Sequence, residues 1–190
     1  MTEAEGLALL ALARAAISDR LYGGGAIAEA RRSLPPSLAL DERRGVFVTL
    51  KFVEETGELR LRGCIGSIAG EAPLRQGVLD AAVAAAFADP RFPPLVAAEF
   101  PSIHLSVSAL TPLEPVPSAD AIVAGEHGVV LETGRHRAVF LPQVATEQGW
   151  STRTLLEQLS RKAGLPADSW RQARLLVFRS EIFEERRGSC

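Results

Sequence analysis

Cysteine is scarce in this chain of 190 residues: two thiols, Cys64 and Cys190, are too few for a disulfide framework. Such scarcity suits a reducing compartment, the cytosol, with both thiols free. Missing too is any unbroken stretch of about 20 apolar residues, which a membrane-spanning helix needs. The apolar run from Leu7 to Ala13 is short, and the acidic start Met1-Thr2-Glu3-Ala4-Glu5 lacks the basic opening of a secretory signal. These features predict a cytoplasmic protein that no membrane anchors. Basic character is also weak, with a formal charge of −2, one tyrosine and two tryptophans. Nucleic acid is therefore not an expected partner. The chain has no Gly-x-Ser-x-Gly elbow, no dinucleotide fingerprint and no phosphate-loop lysine. Cys-x-x-Cys and His-x-x-x-His spacings are absent as well, so neither a metal nor another cofactor is expected.

What is present is a composition of 47% hydrophobic and 23% charged residues, which fits a folded globule able to bury a core. Thr2 and Glu5 form a capping-box pattern and predict a first helix over residues 3–18. A short second helix over 27–33 would stop at Pro35-Pro36. From Gly45 the period changes. Val46, Val48, Leu50 and Phe52 alternate with Phe47, Thr49 and Lys51, and after a turn at Glu55-Thr56-Gly57 the residues Leu59, Leu61 and Ile65 alternate with Arg60, Arg62 and Cys64. Folded as a hairpin, this pattern sets Phe52 opposite Leu59, Leu50 opposite Leu61 and Val46 opposite Ile65, with a register slipped by two residues as the alternative that keeps the same faces. Arg60, Arg62 and Cys64 then share the face away from the apolar layer. Pro73 opens a third helix that runs to about residue 88, where Asp89-Pro90 stops it. A strand over 103–109 follows, with His104 on the side away from Ile103, Leu105 and Val107.

The second half repeats the order. A hairpin turns at Glu132-Thr133-Gly134, Ser151 caps a helix bearing Leu155, Leu156 and Leu159, and a last strand lies within residues 174–183. Hairpin, helix and strand thus occur twice, which predicts an α+β fold built from a duplicated unit. The whole chain, 1–190, is read as one domain with halves of about 1–115 and 116–190.

Cys64 is the candidate reactive group. A thiol attacks or binds metal only as thiolate, which a nearby guanidinium or helix amino terminus favours. Arg62 would supply the guanidinium from the same strand face, Arg60 would extend the positive surface, and the helix opening at Pro73 could aim its N–H groups at the strand end. Gly63 and Gly66 would let another backbone or a ligand approach closely. Arg91 could meet an anion, and Gln143 and Glu147 could line a cleft before Trp150. His127 and His136 flank opposite arms of the second hairpin and could meet; hairpin histidines are more often exposed. Two readings of Cys64 stay open: a nucleophile or redox centre, or a cysteine packed between layers.

The blocks Gly45-Val46-Phe47-Val48-Thr49-Leu50, Leu61-Arg62-Gly63-Cys64-Ile65-Gly66 and Ala86-Phe87-Ala88-Asp89-Pro90-Arg91-Phe92-Pro93-Pro94 carry a resemblance. So do Val107-Ser108-Ala109-Leu110-Thr111, Leu141-Pro142-Gln143-Val144-Ala145-Thr146-Glu147-Gln148-Gly149-Trp150 and Lys162-Ala163-Gly164-Leu165-Pro166. In this order the chain resembles the AMMECR-type domain family, protein A of the AmmeMemoRadiSam system. The resemblance implies two unequal α/β parts around a barrel-like, mostly antiparallel sheet, and makes residues 61–66 the family's hallmark. The system's name implies shared work with a Memo-like protein and a radical S-adenosylmethionine protein, and supplies no reaction. His104 departs from the acidic or other polar residue expected in its strand. The resulting expectation is a thiol-dependent enzyme or accessory subunit using Cys64 and Arg62 on an anionic small molecule or protein. Its alternative is a non-catalytic ligand- or partner-binding module.

Overall fold

The computed structural model describes residues 1–54 and 57–186. Part of the first hairpin turn (Glu55 and Thr56) and Cys190 lie outside the described residues. Helix α1 spans Glu3–Tyr22, opened by the Thr2/Glu5 capping box, and α2 spans Ala26–Arg32. The Asp19 carboxylate accepts the N–H groups of Gly25, Ala26 and Ile27, which fixes the turn between these helices. Strands β1 (Val46–Val53) and β2 (Leu59–Ser67) form the first hairpin; α3 (Leu74–Phe87) and β3 (Ile103–Leu110) follow. The second unit holds β4 (Glu114–Pro115), β5 (Gly128–Thr133), β6 (His136–Phe140), α4 (Pro142–Glu147), α5 (Thr152–Lys162) and β7 (Arg174–Phe178).

The strand expected within 174–183 is in fact two strands. After β7 the chain breaks at Arg179, and β8 (Ser180–Glu184) returns to the first sheet. The strands form two four-stranded sheets, ordered β2-β1-β3-β8 and β4-β7-β5-β6. Each has two open edges, so the expected barrel-like sheet is not closed; the mixed α+β class holds. The duplicated order is visible in both sheets. In each, the first hairpin strand is central, between its hairpin partner and the strand that follows the helix. By internal contacts the described residues form two units, one up to Leu110 joined by the stretch from Glu181, and one of Thr111–Ser180.

In the first unit Val46, Val48 and Leu50 of β1 and Leu105, Val107 and Ala109 of β3 are buried with Leu9, Leu12 and Ile17 of α1 and Val78, Ala82 and Ala85 of α3. This is the period-2 face of the strands meeting the apolar sides of two helices. The second core gathers Val129, Leu131 and Val177 with Leu155, Leu156 and Leu159 of α5.

The register of the first hairpin differs from the expected one. Val48 pairs with Ile65, Thr49 with Cys64, Leu50 with Gly63, Lys51 with Leu61 and Phe52 with Arg60, and the shift lies between Leu50 and Lys51. Arg62 is the extra residue of a β-bulge, which breaks the strict alternation on which the expectation rested. The bulge puts Gly63 rather than Leu61 under α3. There an added Cβ would stand 2.1 Å from the Ala85 carbonyl oxygen, so only glycine admits the helix this closely.

Candidate functional site

Cys64 sits near the middle of β2, partly exposed, and in register with Thr49 of β1, which pairs in turn with Ser106 of β3. The Thr49 hydroxyl donates to Sγ at 3.1 Å. Cys64 faces Thr49 as a non-hydrogen-bonded pair, so its backbone groups point to the open edge of β2, and the loop after α3 answers both. The Cys64 N–H donates to Asp89 Oδ2 at 2.9 Å, and Arg91 Nη2 donates to the Cys64 carbonyl at 3.3 Å. Asp89 and Arg91 are tied to each other by a fork, Nε to Oδ1 at 3.0 Å and Nη2 to Oδ2 at 2.7 Å, and the Arg91 N–H also donates to Oδ1.

The fork places a buried carboxylate under a guanidinium that is 54% exposed, so the cation faces solvent beside the thiol strand. The Arg91 guanidinium, above all, holds the Asp89 carboxyl far below the ordinary carboxylate range; burial pushes it up and is outweighed, while the N–H groups of Cys64 and Arg91 add to the fall. Arg91 is pushed up in turn by its bonds to Asp89, against burial. Its Nη2, 3.3 Å from the Cys64 carbonyl oxygen, keeps the cation on the residue that carries the thiol. A carboxyl depressed in the folded state stabilises the fold fully above its unfolded value and loses that contribution as pH falls toward the folded one. Asp89→Asn is therefore expected to melt with a smaller loss between about pH 4 and pH 2 than the parent chain, read from thermal midpoints against pH.

Arg62 takes no part in this arrangement. Its side chain is 6% exposed and donates from Nε and Nη2 to the Glu99 carboxylate at 3.3 and 2.9 Å, and from Nη2 to the Pro93 carbonyl at 2.9 Å. It lies 5.9 Å from the ring centroids of both Phe52 and Phe92, and among the described residues its Nη1 has no hydrogen-bond partner. Burial pushes the Glu99 carboxyl up, but the Arg62 guanidinium and the Val96 N–H pull it further down, for a net fall. Arg60 is 78% exposed, 3.7 Å from Glu54 near the hairpin turn. The expected common face of Arg60, Arg62 and Cys64 is thus not formed; the bulge at Arg62 turns its side chain toward Phe52. The amino end of α3 is elsewhere too, with the Leu74 N–H donating to the Glu42 carbonyl. It is the carboxyl end of α3 that meets this stretch, Ala85 against Gly63 and Asp89, two residues past the helix, at the Cys64 N–H.

The structure brings Cys64, Gly63 and Arg91 together and adds Thr49 and Asp89, which the sequence reading did not assign to the site. Their only sequence signals are the strand alternation for Thr49 and the Asp89-Pro90-Arg91 spacing. Gly66 also answers to packing, since an added Cβ would lie 2.1 Å from the Val46 carbonyl oxygen. Gln143 and Glu147 belong to α4 of the second unit. There Gln143 Oε1 is buried with no partner among the described residues, and Glu147 is exposed. Trp150 packs edge-on against Phe140, at 5.5 Å between centroids, within the second core. His127 and His136 lie at opposite ends of the second hairpin, His127 just before β5 and His136 opposite Thr133, so they do not meet. His104 is buried, with Nε2 2.6 Å from the Glu185 carbonyl oxygen. Among the described residues no group of three His, Cys, Asp or Glu side chains converges as a metal site would. None of their helices is long and apolar enough to cross a membrane.

The AMMECR1 family model matches residues 10–183. The chain belongs to the AMMECR1 family. A relative from Thermofilum pendens is 39% identical over 95% of this chain and 90% of its own length, and one from Methanopyrus kandleri is 40% identical over 97% and 90%. The crystal structure of an uncharacterized protein from Pyrococcus horikoshii has the same fold. Its TM-score is 0.74 at 34% identity, covering 97% of this chain and 93% of that one. The AMMECR1 match contains β2, α3 and the Asp89–Arg91 fork in full.

Proposed function

We propose that Cys64 is the working group of a cytoplasmic, thiol-dependent enzyme or accessory subunit that acts on an anionic small molecule or protein target. The observation that carries this reading is the Thr49 hydroxyl donating to Sγ of a partly exposed cysteine, with the half-exposed Arg91 guanidinium bonded to the carbonyl of that same residue. In a displacement, the sulfur's electron pair would form the bond to an electrophilic carbon of the target while that carbon's bond to its leaving group breaks, the group departing with the bonding pair and the thiol proton passing to solvent. Arg91, not Arg62, draws the anion. Asp89 is a positioning residue that aims the guanidinium and ties it to the thiol strand. Work alongside a Memo-like protein and a radical S-adenosylmethionine protein belongs to the same proposal.

Charge selectivity tests it. In a Cys190→Ala background, Cys64 is alkylated with anionic iodoacetate and, separately, with neutral iodoacetamide. Arg91→Ala is expected to lower the iodoacetate-to-iodoacetamide rate ratio about threefold at low ionic strength, the size of one partly screened charge at this range. Arg62→Met should leave the ratio unchanged. A ratio indifferent to Arg91 would remove the anion-recruiting role.

A second reading, a non-catalytic binding module, draws on one observation. Thr49 is the only side chain bonded to Sγ among the described residues; the Asp89 carboxylate is taken up by the Cys64 N–H and Arg91, and no histidine or carboxylate bonds the sulfur as a base. Under that reading Cys64→Ser would retain binding of the target and its biological output.

A further inference from the structure

We propose that the outer edge of β2 beside Gly66 docks an extended, basic peptide segment of a partner protein. At Cys64 the Asp89–Arg91 fork does what a neighbouring strand would do, accepting from the N–H and donating to the carbonyl. Residues two apart on a strand present their backbone groups to the same side, so those of Gly66 also point outward. Among the described residues no side chain or loop answers them. An edge strand in this state is a template for one more strand.

Beside this open stretch lies a cleft of about 300 Å³ between β2 and α3. Ile65, Ala81 and Ala84 give it apolar walls, and the carboxylates of Glu71 and Asp80 stand at its rim. Arg44, which also reaches the cleft, has its charge matched by Glu181 and its Nε committed to the Leu110 carbonyl. Among the described residues Glu71 and Asp80 form no ion pair, and Arg43, the cation beside Glu71, donates to its carbonyl rather than its carboxylate, so both carboxylates are open to a cationic partner. An edge strand flanked by a side-chain pocket is the arrangement by which extended peptides are read, backbone bonds giving affinity and the pocket giving selectivity. Here the pocket takes an apolar stem and the rim a cationic head, which describes lysine or arginine. A free amine would use the carboxylates and leave Gly66 unanswered, so an extended peptide accounts for both features.

The probe is a capped octapeptide alternating valine and lysine, titrated into the full ¹⁵N-labelled chain. Saturable shifts with the largest displacement at the Gly66 amide are expected. Three changes should each weaken binding about tenfold or more, a difference of roughly 1.4 kcal/mol: N-methylation of alternate peptide bonds, glutamate in place of lysine, and the double variant Glu71→Lys/Asp80→Lys. Both substituted residues are exposed, so the fold should survive. The proposal is overturned if the N-methylated peptide or the double variant binds as well as the original. It is equally overturned if 1,5-diaminopentane binds as tightly, or if Gly66 does not move at millimolar peptide. Cys64 is untouched in every arm, so the outcome does not depend on the thiol reading.

Discussion

Gly63→Ala is expected to cost about 3 kcal/mol or more of stability and to lower the thermal midpoint by on the order of 10 °C. The added methyl would sit 2.1 Å from the Ala85 carbonyl oxygen. That oxygen belongs to helix backbone, which cannot rotate aside as a side chain can. Relief requires α3 to lift from β2, and with it Val78, Ala82 and Ala85 from the first core. The same shift would draw Asp89, two residues past α3, from the Cys64 N–H, so stability is the direct readout and thiol reactivity a dependent one. Equilibrium unfolding in denaturant checks it. A variant as stable as the parent would mean that α3 does not approach β2 as described.

The second large effect is an asymmetry between the partners of one ion pair. Glu99→Ala is expected to destabilise by about 3–5 kcal/mol, because it leaves a buried guanidinium without its counter-charge. Arg62→Met should cost less than about 1.5 kcal/mol, since an apolar chain of similar length fills the space beside Phe52 and Phe92. Glu99 is 26% exposed and keeps the Val96 N–H, so it can turn to water when Arg62 is gone. Equal losses in the two variants would contradict this account of Arg62 as a structural residue. So would a loss of Cys64 reactivity in Arg62→Met at unchanged stability.

These two residues also mark how far the sequence could be read. The alternation Val46, Val48, Leu50 named the buried face of β1 correctly, and the Thr2/Glu5 and Ser151 caps located two helix starts. Those signals are local, carried by neighbours within one or two turns of chain. The bulge is different. In Leu61-Arg62-Gly63-Cys64 the one cue is Gly63, which allows a close backbone approach or a bulge without choosing between them; the bulge accompanies α3 against Gly63 and Glu99 against Arg62. Glu99 lies 37 residues from Arg62, and Asp89 lies 25 residues from Cys64. Tertiary packing therefore decided which arginine accompanies the thiol, and it chose Arg91. The exit of β8 into the first sheet was hidden for the same reason, since β7 and β8 are separated only by Arg179.

The Asp89–Arg91 fork gives the site its economy: one loop satisfies the exposed backbone of an edge strand and sets a cation beside its thiol. The most direct test is the rate at which iodoacetamide modifies Cys64 in the folded Cys190→Ala chain, followed by intact mass and compared with the same chain unfolded in guanidinium. The account predicts a folded-state rate no less than about a tenth of the unfolded one, because the thiol is partly exposed. Labelling that begins only when the chain unfolds would contradict it, and would make Cys64 a packing residue.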